Sequence, residues 1–194
     1  TANTNQMLME FMGLHLPGSS FINPNTALRD ALTVAGTEQA LKITALGDQY
    51  TPVCDILDAK TFVNGIVGLM ATGGSTNLVL HLPAMARAAG VLLELQDFAD
   101  ISEVIPLMAK VYPNGLADVN QFHASGRLGY MIWDLISEGM LHADTKTVMG
   151  AGLAAYTQEP VLTGAVVSYG PGARTSGNNK ILRPAASPFQ ATGG

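Results

Sequence analysis

Cysteine is nearly absent from this chain of 194 residues, in which Cys54 is the only one. A single thiol cannot close a disulfide within the chain, and it cannot hold an iron-sulfur cluster, which usually takes several thiolates. The lack of a disulfide framework is typical of a reducing compartment, so we expect the cytoplasm. Cys54 itself is most simply a small buried hydrophobic side chain.

Charge and long apolar runs are also scarce. Asp, Glu, Lys and Arg make up 13% of the chain, and the net charge is −5 with the basic residues scattered, so nucleic acid is not an expected partner. Apolar runs such as 66–70 and 161–167 fall far short of the roughly 20 residues of a membrane span. No leader-peptide pattern is present, and the first residue is Thr, which indicates processing or truncation. We expect a soluble protein with no membrane partner.

What the chain does have is helical periodicity. Thr4 is expected to cap a helix over 5–12, and a second helix is expected over 27–43, after Pro and Asn at 24 and 25. The apolar stretch 62–70 favours a buried helix over a strand. Residues 128–136 keep apolar side chains at spacings of three and four, which makes this the clearest amphipathic helix.

Short strands and turns are predicted between the helices. Residues 91–95 and 161–167 are short, apolar and rich in branched side chains, as strands are. A capping-box pattern at 100–103 predicts a helix that continues to about 111, and 113–115 is a turn by composition. After 168, Gly, Pro, Ser and Asn dominate, which indicates a loop or linker. Helices alternating with short strands suggest an α/β fold, in which helices are layered around a short, mostly parallel sheet.

The sharpest local motif is a Gly-Gly-Ser-Thr-Asn segment that precedes a helix expected to end at Ala89. Two glycines permit a tight turn, and Ser75 or Thr76 would cap that helix. Such a turn could expose successive N–H groups as a cradle for phosphate or carboxylate, although it has no P-loop Lys. The alternative is an ordinary capped helix start. The motif residues are Gly73, Gly74, Ser75, Thr76 and Asn77.

Two further features are candidates for a site. The polar run at the start of the chain, which includes Thr1, Asn3 and Thr4, either caps a helix or donates hydrogen bonds near a substrate or a cofactor. His81 lies just beyond the glycine turn and is the histidine best placed for a role, although a structural histidine is the simpler interpretation. No spacing of His, Asp or Glu predicts a metal site or a catalytic group within the chain.

Several segments together resemble the dihydroxy-acid dehydratase and 6-phosphogluconate dehydratase family, over the chain up to about Pro160. Thr1-Ala2-Asn3-Thr4 resembles the second half of a family motif whose cysteine lies upstream and binds the cluster. The segments 16–20, 63–66, 73–77 and 81–90 follow in the family's order and spacing. Departures are found at 122–127, where the family usually has paired glycines, and after 161.

Within the family, 5–13 and 111–118 resemble the 6-phosphogluconate branch. The resemblance implies removal of water from 6-phosphogluconate to give 2-dehydro-3-deoxy-6-phosphogluconate in the Entner-Doudoroff pathway, by a homodimer. It implies a 4Fe-4S cluster as Lewis acid, together with a magnesium ion. The cluster cysteines, the acidic metal-binding segment and the base would all lie outside these residues, so this chain alone is expected to be inactive.

The resemblance also implies a domain division. Residues 1–160 would form the central part of the family's N-terminal α/β domain, and 161–194 would form a strand and a linker toward the C-terminal domain. Thr1, Asn3, Thr4, the turn 73–77 and His81 would bind substrate or surround the cluster. Two alternatives stay open: a dehydratase for dihydroxy acids or other sugar acids, and a noncatalytic phosphate-binding or interaction module.

Overall fold

The computed structural model describes residues 2–194. Its helices are α1 (Ala2–Phe11), α2 (Ala27–Ile43), α3 (Val53–Ile56), α4 (Ala59–Thr72), α5 (Leu78–Ala88), α6 (Leu95–Val104), α7 (Val119–Ala124) and α8 (Arg127–Ser137). Its strands are β1 (Lys146–Thr147), β2 (Gly150–Ala151), β3 (Gln158–Thr163) and β4 (Val166–Pro171), and a 3-10 turn covers Ala154–Thr157. Within these residues, no helix is both long and apolar enough to cross a bilayer.

The central element is α4, the predicted helix over 62–70. The Asp58 side chain caps it by accepting a hydrogen bond from the Thr61 N–H at 2.8 Å, which satisfies one of the free donors at a helix start. Gly73 ends it in the left-handed conformation, at φ 60°, where a residue without Cβ is favoured. Nearly all side chains from 61 to 72 are buried, because α4 is apolar on all sides and other helices cover it.

Helix α1 packs against α4 at close range because α4 has two glycines on the contact face. A Cβ at Gly68 would lie 2.6 Å from Phe11 Cδ2, and one at Gly65 would lie 3.0 Å from Met12 Sδ. Phe11 and Met12 are completely buried. Glycine therefore lets the two helices approach closely enough to enclose these side chains.

Helix α2, unlike α4, is largely exposed. It begins at Ala27, as the sequence predicted, and Thr26 occupies its cap position, where the hydroxyl accepts from the Arg29 N–H at 3.3 Å. Only Leu32 among its residues is fully buried, and Leu41 and Val34 are exposed. Gly36 does not interrupt the helix.

The α/β class is confirmed, but a mostly parallel sheet is not present among residues 2–194. Both sheets there are two-stranded and antiparallel: β1 pairs with β2, and β3 with β4. A parallel sheet needs successive strands joined by crossover helices. The apolar segments between the helices do not provide such strands, because 91–94 is irregular and continues into α6.

Residues 161–167 were predicted to be one strand, but they form the turn of a β3–β4 hairpin. Gly164, at φ 64°, lies at the reversal, and Thr163 pairs with Val166. The segment beyond it contacts the core: Leu182 and Ala185 are buried, and the Ala185 N–H donates to the Asp134 carboxylate at 2.7 Å. The proposed domain division at 160 stays a prediction, and β3 runs across that position.

Four local predictions need correction. Thr4 lies within α1 and does not cap it. The capping box belongs to Glu94 and Asp97 at the start of α6, and not to 100–103. Neither Ser75 nor Thr76 takes the cap position of α5, which is occupied by Asn77. Cys54 is exposed on the short helix α3 rather than buried.

Candidate functional site

The structure brings the start of α1 against the glycine turn that follows α4. Thr4 is buried, and its Oγ1 accepts a hydrogen bond from the Ser75 N–H at 3.0 Å. These two residues are far apart in the sequence. Of the residues predicted for a site, Thr4, Gly73, Gly74 and Ser75 are thus brought together. Thr1 lies outside the described residues.

The amides of the turn are directed into the chain. The Gly73 N–H donates to the Leu69 and Met70 carbonyls, and the Gly74 N–H donates to the Leu69 carbonyl at 3.1 Å. This is a Schellman-type closure of α4. With the Ser75 amide bound to Thr4, this geometry favours an ordinary capped turn over a cradle of exposed amides. A role for these residues in a binding site stays a prediction.

Gly73 and Gly74 lie so close to neighbouring side chains that there is no room for a Cβ at either position. A Cβ at Gly74 would lie 2.5 Å from Thr4 Cγ2, so any side chain there would displace α1. At Gly73, a Cβ would meet the amide of Asn114, which donates to the Gly73 carbonyl at 2.9 Å. The turn at 113–115, predicted from composition, is therefore part of this region. The sequence did not indicate that Asn114 would bind the glycine turn.

The other predicted residues lie at the edge of this contact. Asn3 is exposed on α1, and Thr76 and Asn77 are exposed at the start of α5. The His81 side chain is also exposed, one turn further along α5. These side chains are accessible to a ligand or to another part of a larger protein, and their predicted role remains a prediction.

We expect Thr4→Val to loosen the contact between α1 and the turn. Valine keeps the shape of threonine but cannot accept the hydrogen bond from the Ser75 amide. The expected loss is about 1 kcal/mol of unfolding free energy, the usual net value of one hydrogen bond. Chemical denaturation would measure it, with Thr37→Val on the exposed face of α2 as the matched control. Equal stabilities of the two variants would contradict the contact.

A second polar centre lies at the other end of α1, around Glu10. This carboxyl is completely buried. It accepts hydrogen bonds from the Gly18 N–H and the Ser20 N–H, each at 2.8 Å. Burial raises the pKa of Glu10 to about 7, against the opposing effect of the hydrogen bonds from Ser20 and Gly18. Glu10 therefore fixes the loop 16–20 that follows α1.

Arg29 also holds this loop, through backbone carbonyls. Its guanidinium donates to the Ser19 carbonyl at 2.8 Å and to the Ile22 carbonyl at 2.6 Å. Half-buried His15 lies nearby, and its pKa is lowered by burial and by the charge of Arg29. The carboxylate of Glu10 thus holds N–H groups of the loop, and the cation of Arg29 holds its carbonyls. Sequence reasoning missed both roles, because the partners are backbone groups that carry no sequence signal.

A third charged group lies where the chain departs from the family pattern. Arg127, at φ 63°, begins α8 and forms an ion pair with Glu159 on β3. Burial raises the pKa of Glu159, and the hydrogen bond from Arg127 opposes this. Burial and the charge of Arg127 lower the pKa of His123 to about 4. This pair joins α8 to the hairpin.

Within residues 2–194, no group of three or more His, Cys, Asp or Glu side chains could hold a metal ion. The one cysteine, Cys54, is exposed on α3. The described residues therefore do not fit an iron-sulfur cluster by themselves, and no chemical step through such a group can be assigned to them.

The chain belongs to the dihydroxy-acid/6-phosphogluconate dehydratase family: residues 1–156 match the profile of that family's N-terminal region. A phosphogluconate dehydratase of Rhizobium meliloti (strain 1021) is 55% identical over 195 residues, and one of Pseudomonas aeruginosa (strain PAO1) is 50% identical over 194. A dihydroxy-acid dehydratase of Caldanaerobacter subterraneus is 33% identical over 194 residues. Each alignment covers 100% of this chain and 32% of the relative. The chain thus spans about a third of the length of these relatives.

Proposed function

We propose that this chain is part of a 6-phosphogluconate dehydratase, a hydro-lyase that converts 6-phosphogluconate to 2-dehydro-3-deoxy-6-phosphogluconate in the Entner-Doudoroff pathway. The observation that carries the proposal is the difference in identity along the whole chain. Identity is 55% and 50% to two phosphogluconate dehydratases, against 33% to a dihydroxy-acid dehydratase. The match of residues 1–156 to the N-terminal profile of the dihydroxy-acid/6-phosphogluconate dehydratases supports a dehydratase of this family.

In this proposal the chain supplies binding and support rather than the reacting groups. Thr4 and the turn 73–77 would fix the start of α1, where Asn3 and Thr1 would contact substrate or surround a cofactor. Asn77 and His81 would line the same side from α5. Preorganised polar groups of this kind contribute by positioning a substrate for reaction.

The reaction removes a hydroxyl and the proton next to the carboxylate, so it needs an electrophile for the leaving oxygen and a base for the proton. We propose that a 4Fe-4S cluster supplies the electrophile, that the protein also binds a magnesium ion, and that the ligands of both and the base come from elsewhere in the protein. A homodimer in the cytoplasm belongs to the same proposal.

The test is turnover by the native protein that carries this sequence, purified anaerobically. We expect it to dehydrate 6-phosphogluconate with a kcat/KM at least about tenfold above that for a branched dihydroxy acid, which corresponds to roughly 1.4 kcal/mol of transition-state discrimination. Iron and sulfide should be present in the protein. Absence of turnover on 6-phosphogluconate would refute the proposal.

A preference for a dihydroxy acid in the same assay would instead favour the related branch of the family, to which the 33% identity also points. A noncatalytic phosphate-binding module is the alternative from another class. It is favoured by the lack of a metal-binding group among residues 2–194. Heat of binding to 6-phosphogluconate without turnover or iron would support the module.

A further inference from the structure

A cavity of about 540 Å³ lies between α2 and the loop that follows α1. One part of its lining is apolar and includes Leu32 and Ile43. The other part is polar and includes Gln6, Ser19, Ser20 and Arg29. A second cavity of about 300 Å³ is also lined by Gln6, Ser20 and Arg29, so Arg29 lies where the two cavities meet.

Arg29 is a fixed cation in this cavity. Its Nε and Nη2 atoms donate to backbone carbonyls of residues 19 and 22, which hold the guanidinium in place. Among residues 2–194, no carboxylate forms an ion pair with it, whereas Lys60, Arg127 and Lys146 each have one. Nη1 also has no hydrogen-bond partner in that part of the chain. A guanidinium has five N–H donors in a planar fork, which suits phosphate or carboxylate.

The groups around Arg29 are held in position without a ligand. Glu10 fixes the amides of Gly18 and Ser20, and Arg29 fixes the Ser19 carbonyl between them. The Ser20 hydroxyl donates to the Gln6 carbonyl at 2.9 Å. A preorganised site of this kind loses less conformational entropy when an anion binds.

We propose that this cavity binds the phosphate monoester of the substrate on Arg29. The inference rests on the proposed function, which provides a substrate with a phosphate remote from the reacting carbons. Binding of such a remote group that is equally strong in the ground state and the transition state lowers KM without raising kcat. Gln6 lies one helical turn beyond Asn3 on the same exposed face of α1. The hydroxyl-bearing carbons would therefore lie along α1, from Arg29 towards Asn3.

The first test is Arg29→Gln in the native protein, with Lys42→Gln as the matched control. Lys42 is exposed at the far end of the same helix and does not line this cavity, and its replacement changes the charge equally. We expect Arg29→Gln to raise KM for 6-phosphogluconate about 10- to 100-fold and to change kcat less than about twofold, because a charge-assisted contact to the phosphate is lost. Inhibition by inorganic phosphate should weaken by a similar factor. Equal kinetics for the two variants would overturn the inference.

Arg29→Gln also removes the bonds to the loop, so a second variant is needed. Thr33→Trp, one turn along α2, places an indole ring in the cavity and leaves the bonds from the Arg29 guanidinium to residues 19 and 22 in place. We expect it to weaken binding of substrate and of inorganic phosphate by at least about tenfold, by steric exclusion. Wild-type KM and wild-type phosphate inhibition in this variant would overturn the inference.

Calorimetry with inorganic phosphate separates this inference from the proposed function. If the native protein does not dehydrate 6-phosphogluconate, the proposed function fails. A heat of phosphate binding that Arg29→Gln and Thr33→Trp abolish would then still support an anion site. If the native protein is active but both variants bind phosphate as the wild type does, the function stands and the anion site is wrong.

Discussion

Replacing Glu10 with glutamine is expected to remove a pH dependence of stability worth roughly 3–4 kcal/mol. The pKa of this carboxyl is about 7 in the folded chain and 4.5 as its ordinary value, and each pKa unit corresponds to about 1.4 kcal/mol. The main cause is complete burial, which disfavours the charged form. The neighbouring Glu159 raises the pKa further.

The direction in which stability changes with pH follows from the protons that the folded and unfolded states bind. Between 4.5 and about 7 the folded state holds the Glu10 proton and the unfolded state has lost it. The stability that this proton provides is fully present below 4.5 and is lost as the pH rises through about 7. We therefore expect the wild type to lose stability relative to Glu10→Gln across this window.

Denaturant unfolding of both proteins at a series of pH values measures this difference. Comparing the two proteins cancels other titrating groups, such as His15 and His123, whose lowered pKa values act in the opposite direction. Glu103→Gln, at an exposed position on α6, is the control and should show no such trend. A constant stability difference between wild type and Glu10→Gln from about pH 4.5 to about pH 7.5 would contradict the assignment.

Alanine at two helical glycines is expected to have opposite effects. In α2, a Cβ at Gly36 meets only Leu16 Cδ1 at 3.6 Å, an ordinary contact. Gly36→Ala should therefore stabilise the chain by up to about 1 kcal/mol, because alanine loses less entropy in a helix. In α4, a Cβ at Gly68 would lie 2.6 and 2.7 Å from the Cδ2 and Cγ atoms of Phe11. Overpacking of this kind costs about 1–3 kcal/mol despite the helix propensity.

The two variants should thus differ by about 1–4 kcal/mol of unfolding free energy. Thermal or denaturant unfolding of both under one condition provides the measurement. A double variant, Gly68→Ala with Phe11→Leu, should recover part of the loss if the ring of Phe11 is the obstacle. Equal stability of the two single variants would mean that α1 and α4 are not in close contact.

Helices with a clear signal in their local sequence were predicted well. The spacing of apolar side chains located α8, and the Pro and Asn at 24 and 25 located the start of α2, because both signals lie within the helix or next to it in sequence. The predictions failed where two local patterns compete. The capping pattern at 100–103 is as good as that of Glu94 and Asp97, but packing of Phe98 in the core starts α6 earlier. Residues 91–95 have strand-like composition, and no neighbouring strand is present among residues 2–194 to pair with them.

The candidate site was found only in part. The glycine turn was visible because Gly73 and Gly74 are unusual in sequence, but its contact with Thr4 joins residues 71 positions apart. The loop held by Glu10 and Arg29 was not visible at all, because their partners are backbone groups of other residues.

Sequence by itself determined α1, α2, α4, α5 and α8, the turns at glycine and the family, because these depend on side chains that are neighbours along the chain. The sequence also made clear that a single cysteine cannot hold a cluster. Tertiary structure alone decided that Cys54 is exposed, that residues 161–167 turn back as a hairpin, and that Glu10 and Arg29 hold one loop between them. These features depend on burial and on contacts across long sequence separations, which local patterns do not encode.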